Sequence, residues 1–150
     1  KAGSLVGKRA DILVPTAFIE QNADTYLEVP RSSCDCAANI QERLPERKVH
    51  SGPMLTVQGT LLQNRAMLQF YKQLWNVRGI EMEGYFYHRQ VEEAKETGLV
   101  DKNIESRFFY YVSDLPLDSS SNLSERLRAG EGIPPLYAIS REILARIFTR

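Results

Sequence analysis

Apolar and polar residues alternate along this chain in short blocks, some with the spacing of strands and some with that of helices. β-Branched and aromatic residues are concentrated in five segments, which we predict to be strands: 11–15, 17–20, 26–30, 48–52 and 107–112. Pro15 separates the first two, and Gly52-Pro53 is predicted to end the fourth, because proline cannot donate to a strand ladder.

Helical spacing of apolar residues occurs in the segments between these strands. We predict helices at 35–44, 61–75, 83–97 and 136–148, with a serine-rich loop at 118–121. The last helix is predicted to bury a face formed by Ile139, Ile143, Leu144 and Ile147. Strands that alternate with helices predict an α/β fold with a mixed, mainly parallel central sheet flanked by helices.

Ligands of such sheets bind where strands end. Three polar clusters follow predicted strands: one around Ser51, one at Glu81–Glu83 and one at Ser113-Asp114. A site formed by these clusters is therefore plausible.

Composition narrows the classes of function. The chain has 150 residues, enough for one domain, and its 19 basic and 19 acidic residues give a formal net charge of zero. No basic tract and no long apolar run is present in the sequence, so we expect neither a nucleic-acid partner nor a membrane partner. Cys34 and Cys36 are too close for an unstrained disulfide and too few for a zinc site, and we expect no metal and a cytoplasmic location.

The segment Glu81-Met82-Glu83 has two carboxylates at alternate positions. A carboxylate can accept hydrogen bonds from both hydroxyls of a vicinal diol, and a thioether offers an apolar surface to a sugar. The structural alternative is that both glutamates are acids at a helix N-terminus, where the helix dipole favours them.

Asp114 follows the most apolar strand. Partial burial there would raise its pKa and let it hold a proton for donation. The structural alternative is a turn residue before Pro116 or a helix cap.

Together these motifs resemble the purine nucleoside phosphorylase and nucleosidase superfamily. The likeness rests on Gly79-Ile80-Glu81-Met82-Glu83-Gly84 and, about thirty residues later, Tyr111-Val112-Ser113-Asp114. Weaker matches are Lys1 to Leu5 with Ala10 to Ala17, and Val49 to Gly52, all in the family's order. Ser113 to Leu117 is also similar to a stretch of AMP nucleosidases.

The resemblance implies cleavage of the N-glycosidic bond of a purine nucleoside or nucleotide. It implies that Glu83 binds the ribose hydroxyls, with Met82 on the sugar and Glu81 beside it, and that Asp114, next to Ser113, protonates N7 of the base. Ala2 and Gly3 would line the base, and Leu55 would offer it an apolar face. It implies no cofactor, inorganic phosphate as co-substrate if the enzyme is a phosphorylase, and a homo-oligomer.

The sequence departs from the family pattern at three places. The strands with the glycine-rich phosphate segment would precede Lys1, so residues 1–150 are predicted to be one partial domain, the later two-thirds of the fold. Lys1 stands where many members have Ser or Thr. Pro53 and Leu55 replace an Asp and a base-stacking aromatic. A catalytically inactive nucleoside-binding or scaffold domain, and an unrelated α/β domain, therefore stay open as alternatives.

Overall fold

The fold is a mixed α/β arrangement with a central sheet. The computed structural model describes residues 1–21, 25–30, 32–58, 64–118 and 130–148, and only the backbone of 32–35. The strands are β1 (Ala2–Ser4), β2 (Ile12–Glu20), β3 (Thr25–Glu28), β4 (Val49–Thr56), β5 (Gly79–Glu81) and β6 (Tyr110–Asp114). The helices are α1 (Ser32–Arg43), α2 (Arg65–Leu74), α3 (Gly84–Glu96) and α4 (Ile133–Phe148). The predicted α/β class and mixed sheet are confirmed.

The sheet closes on itself. Its strand order is β3-β2-β4-β5-β1-β6, and β2 also pairs with β6. Five strands therefore form a barrel-like ring, and β3 lies outside it. Of the pairings among described strands, β2–β4, β4–β5 and β1–β6 are parallel, whereas β1–β5, β2–β3 and β2–β6 are antiparallel. The expectation of a mainly parallel sheet is corrected, because antiparallel pairs close the ring and join β1 to β5.

The sequence predicts that proline interrupts strands β2 and β4, but both strands continue through their proline residues. Pro15 lies inside β2, at the point where the register with β4 shifts between Pro15 and Phe18. β4 likewise continues through Gly52-Pro53 to Thr56. The irregular pairing places residues without an N–H donor where the ladder is already interrupted.

The four helices differ from their predicted bounds by up to about four residues at an end, and α4 also differs in its buried face. α2 begins at Arg65, because the side chain of Asn64 accepts a hydrogen bond from the backbone N–H of Met67 at 3.1 Å. Residues 61–63 of the predicted helix, and 119–121 of the predicted serine loop, lie outside the described residues. In α4 the buried residues are Pro135, Ala138, Ile139 and Glu142, and Ile143, Leu144 and Ile147 are exposed. The predicted face is therefore wrong except at Ile139, because Glu142 takes the buried position, where Arg146 and Asn39 donate to it.

Among the described residues, the core consists of three apolar clusters. Ile12 and Val14 of β2 pack with residues of α1 and α4, and Phe18 packs with Tyr85 of α3. Leu55 of β4 packs with Leu68 of α2. Helices thus pack against the central strands β2 and β4. Within the described ranges, no helix is both long and apolar enough to span a membrane.

Candidate functional site

A cavity of about 340 Å³ opens where β1, β6 and the junction of β5 with α3 meet. It is lined by Lys1, Ala2, Gly3, Ile80, Glu81, Met82, Glu83, Tyr110, Ser113, Asp114 and Pro116. Two of the three predicted polar clusters therefore face one space.

Strand β1 brings these two clusters together because it lies between β5 and β6. Gly3 pairs with Ile80 on one side and with Asp114 on the other, after a register shift between Ala2 and Gly3. A β-carbon on Gly3 would lie 2.9 Å from side-chain atoms of Ile80 and of Pro116. The absence of a side chain at Gly3 therefore allows the close packing that forms the cavity wall.

Asp114 ends β6 and is half-buried. The hydroxyl of the buried Ser113 lies 2.5 Å from its Oδ2, as a donor, and 3.3 Å from the carbonyl oxygen of Ala2. Ser113 thereby restrains one carboxylate oxygen of Asp114 and leaves the other for a ligand or a proton.

Met82 and Glu83 are exposed and lie on the cavity. Glu83 occupies the N-cap position of α3, but its side chain makes no capping hydrogen bond. Its carboxylate is therefore not hydrogen-bonded to the helix, and its N-cap position is also one where the helix dipole favours an acid.

Glu81 has a different environment from Glu83, two residues away. It is buried, with 5% of its surface exposed. Its Oε2 accepts hydrogen bonds from the backbone N–H of Glu83, at 2.8 Å, and from that of Gly84, and Thr56 donates to Oε1. Both oxygens of Glu81 are thus bound within the protein, and the helix-acid interpretation describes Glu81 well.

Tyr110 is a lining residue that the sequence analysis does not identify as functional. Its hydroxyl lies 3.4 Å from Oε2 of Glu81, and burial, followed by the nearby charge of Glu81, raises the pKa of Tyr110 far above its ordinary value. The phenol therefore stays protonated and remains a donor. Alternation of side chains along a strand predicts that Tyr110 and Val112 lie on the same face of the sheet. It does not predict that Tyr110 lines this cavity.

Two predicted positions lie elsewhere. Leu55 is fully buried in the apolar cluster with Ile19 and Leu68, and it is not among the lining residues. Ser51 is exposed in the middle of β4, because this strand ends at Thr56 and not at Gly52. Of the eight predicted site residues, seven line the cavity.

The cavity combines acidic and neutral hydrogen-bonding groups. Glu81, Glu83 and Asp114 are its carboxylates, and Lys1 is the one basic residue among those that line it. No group of three metal-ligating side chains occurs among the described residues. The carboxylates of Glu83 and Asp114 can accept hydrogen bonds from hydroxyl or N–H groups of a ligand.

Solved structures with a similar fold include three nucleosidase-type proteins. The 5′-methylthioadenosine/S-adenosylhomocysteine nucleosidase of Helicobacter pylori has a TM-score of 0.67 at 16% identity, over 95% of this chain and 64% of that one. A putative nucleosidase of the same description from Francisella philomiragia has 0.67 at 18%, over 95% and 65%. A futalosine hydrolase mutant of H. pylori has 0.64 at 13%, over 97% and 65%.

The chain therefore spans slightly less than two-thirds of the length of these proteins, and at these identities the likeness shows the fold. The fold that the resemblance to the nucleoside phosphorylase and nucleosidase superfamily implies is confirmed. No curated protein matches the chain. A family model matches residues 1–149, and its description is "Family of unknown function (DUF6909)".

Proposed function

The chain belongs to DUF6909, a family of unknown function, and we propose that its cavity cleaves the N-glycosidic bond of a purine nucleoside or nucleotide. The observation that supports this proposal is the convergence of Glu83 and Asp114 on one cavity from different elements. One carboxylate is free to bind a sugar, and the other is restrained beside it. The nucleosidase fold is a second support, and a point mutant of the H. pylori nucleosidase has been crystallised with 5′-methylthioadenosine in its active site.

In the proposed reaction, Glu83 accepts hydrogen bonds from the 2′- and 3′-hydroxyls and Met82 packs against the sugar. The bond from C1′ to the base nitrogen breaks with its electron pair passing to the base, and the sugar becomes oxocarbenium-like. Asp114 transfers its proton to N7 of the base, which prevents negative charge from building up on the leaving group. Water or hydrogen phosphate then forms a bond to C1′ and loses one proton to solvent, which completes hydrolysis or phosphorolysis respectively, and Asp114 regains a proton from solvent.

Ala2, Gly3 and Ser113 have supporting roles in this proposal. Ala2 and Gly3 form the wall that would lie against the base, because β1 separates the two carboxylates. Ser113 orients Asp114 through its hydroxyl. Leu55 has no role in the proposal, because it does not reach the cavity.

A turnover screen tests the proposal. The purified protein is incubated with adenosine, inosine, AMP and 5′-methylthioadenosine, each with and without inorganic phosphate, and free base is quantified by chromatography. We expect base release from at least one substrate, and its dependence on phosphate distinguishes phosphorolysis from hydrolysis. Thermal stabilisation by a nucleoside without release of base would overturn cleavage and favour a nucleoside-binding domain.

A further inference from the structure

Glu81 joins the ends of three strands to the start of a helix at the edge of the cavity. It ends β5, and it accepts hydrogen bonds from Thr56 at the end of β4 and from Tyr110 at the start of β6. The backbone N–H groups of Glu83 and Gly84 donate to the same carboxylate. The segment that presents Glu83 to the cavity is therefore fixed through one buried group.

These hydrogen bonds matter for the local structure because both Glu81 and Thr56 are buried. Thr56 is fully buried and Glu81 nearly so, and a buried carboxylate is tolerated only when donors surround it. The hydroxyl of Thr56 also accepts from the backbone N–H of Tyr85 at 3.3 Å, which ties the first turn of α3 to β4. Loss of one donor leaves the Glu81 carboxylate with fewer hydrogen bonds and less firmly oriented. The hydrogen bonds that it accepts from the N–H groups of Glu83 and Gly84 are then weakened.

We infer that Tyr110 and Thr56 are positioning residues that act through Glu81 to hold Glu83 in its sugar-binding place, an inference that rests on the proposed function. Neither residue needs to touch the sugar diol. Tyr110 lines the cavity, but its hydroxyl is directed to Oε2 of Glu81. The two hydroxyls approach opposite oxygens of the carboxylate, so together they fix its orientation.

Amide hydrogen exchange tests the positioning without any substrate. The N–H groups of Glu83 and Gly84 should be protected in the wild type and should exchange about 3- to 10-fold faster in Tyr110→Phe and Thr56→Val. Thr56→Ser retains the hydroxyl and should restore protection. Tyr87→Phe is the matched control, because Tyr87 is an exposed tyrosine of α3 that does not line the cavity. Unchanged exchange in both Tyr110→Phe and Thr56→Val would overturn the inference.

Binding of ligands tests the link to Glu83. We expect Tyr110→Phe to weaken binding of a riboside about 3- to 10-fold and to leave that of its 2′-deoxy counterpart nearly unchanged. In a Glu83→Gln background the same change should have little further effect, because residues that act through one group are not additive. Equal losses for both sugars, or full additivity, would contradict the coupling. Absence of any nucleoside binding by the wild type would overturn the proposed function, whereas the exchange rates decide the positioning separately.

Discussion

The hydroxyl of Ser113 donates to Oδ2 of Asp114 at 2.5 Å, and Asp114 faces the same cavity as Glu83. These adjacent residues have different burial: Ser113 is buried within the sheet, while Asp114 is half-buried at its edge. The arrangement restrains a carboxyl group without enclosing it, which suits an acid that must meet a leaving base.

Replacement of Asp114 by Asn should remove the proposed proton donor with little change of shape. We expect a loss of about 3–5 kcal/mol of transition-state stabilisation with a purine substrate, measured as kcat for base release. Asp101→Asn is the matched control, because Asp101 is exposed and, within the described part of the chain, its carboxylate accepts one local hydrogen bond, from the backbone N–H of Asn103. An unchanged kcat in Asp114→Asn would exclude Asp114 as the acid.

The change Glu83→Gln tests recognition of the diol. A neutral amide has only one acceptor oxygen, so kcat/KM should fall by about 10- to 100-fold for ribosides and far less for 2′-deoxyribosides. Steady-state kinetics on matched substrate pairs measure the difference. Glu96→Gln, at the exposed end of α3, should behave like the wild type. Similar losses on both sugars would refute the diol role.

Gly84→Ala tests the packing at the start of α3. A β-carbon at this position would collide with the ring of Phe18 and approach the hydroxyl of Tyr110 to 2.5 Å. We expect the free energy of unfolding to fall by about 1–3 kcal/mol, as is typical of overpacking, in urea denaturation. Gly132→Ala is the control, because the atoms nearest to the new carbon belong to Tyr111 and lie at ordinary contact distance. Equal stabilities of the two variants would show that α3 shifts freely.

Asp11 gives a prediction for the dependence of stability on pH. Burial alone would raise its pKa, but hydrogen bonds from the backbone N–H of Lys8 and Lys48 and from His50 lower it below its ordinary value. Because the native state favours the charged form, this stabilisation is present above the unfolded pKa of about 3.9 and is lost as pH falls through the lower native value.

We therefore expect Asp11→Asn to destabilise the protein by about 1–3 kcal/mol at pH 7. The gap from the wild type should narrow as pH falls below about 4, in urea titrations at a series of pH values. A gap that is constant down to pH 2 would mean that the charge of Asp11 contributes nothing beyond its shape.

The four helices and four of the six strands could be predicted from sequence, because apolar spacing is a local property, whereas the three-residue strands β1 and β5 were not predicted. Closure of the ring could not, since the pairing of Ile12 with Tyr111 joins distant segments that no local pattern relates. The prediction of the buried face of α4 was wrong for a similar reason. Glu142 is buried and accepts hydrogen bonds from Arg146 and Asn39. A pattern of apolar residues cannot predict the burial of a polar residue that has such partners.

For the site, motif spacing placed Glu83 and Asp114 on one cavity, but it did not separate the environments of Glu81 and Glu83. The two environments differ because strand β5 ends at Glu81 and helix α3 begins at Gly84. The interior position of Leu55 also escaped prediction, because β4 continues beyond Pro53 and packs this residue against α2.

The unequal surroundings of Glu81 and Glu83 have a consequence for how this family can diverge. In a library of all single substitutions, position 81 should be intolerant in any screen for abundance, since its side chain is needed before a ligand arrives. Position 83 should tolerate replacement in that screen and fail only under selection for activity. Under the proposed function, new sugar preferences are thus accessible by changes at position 83, while its neighbour two residues earlier stays constant.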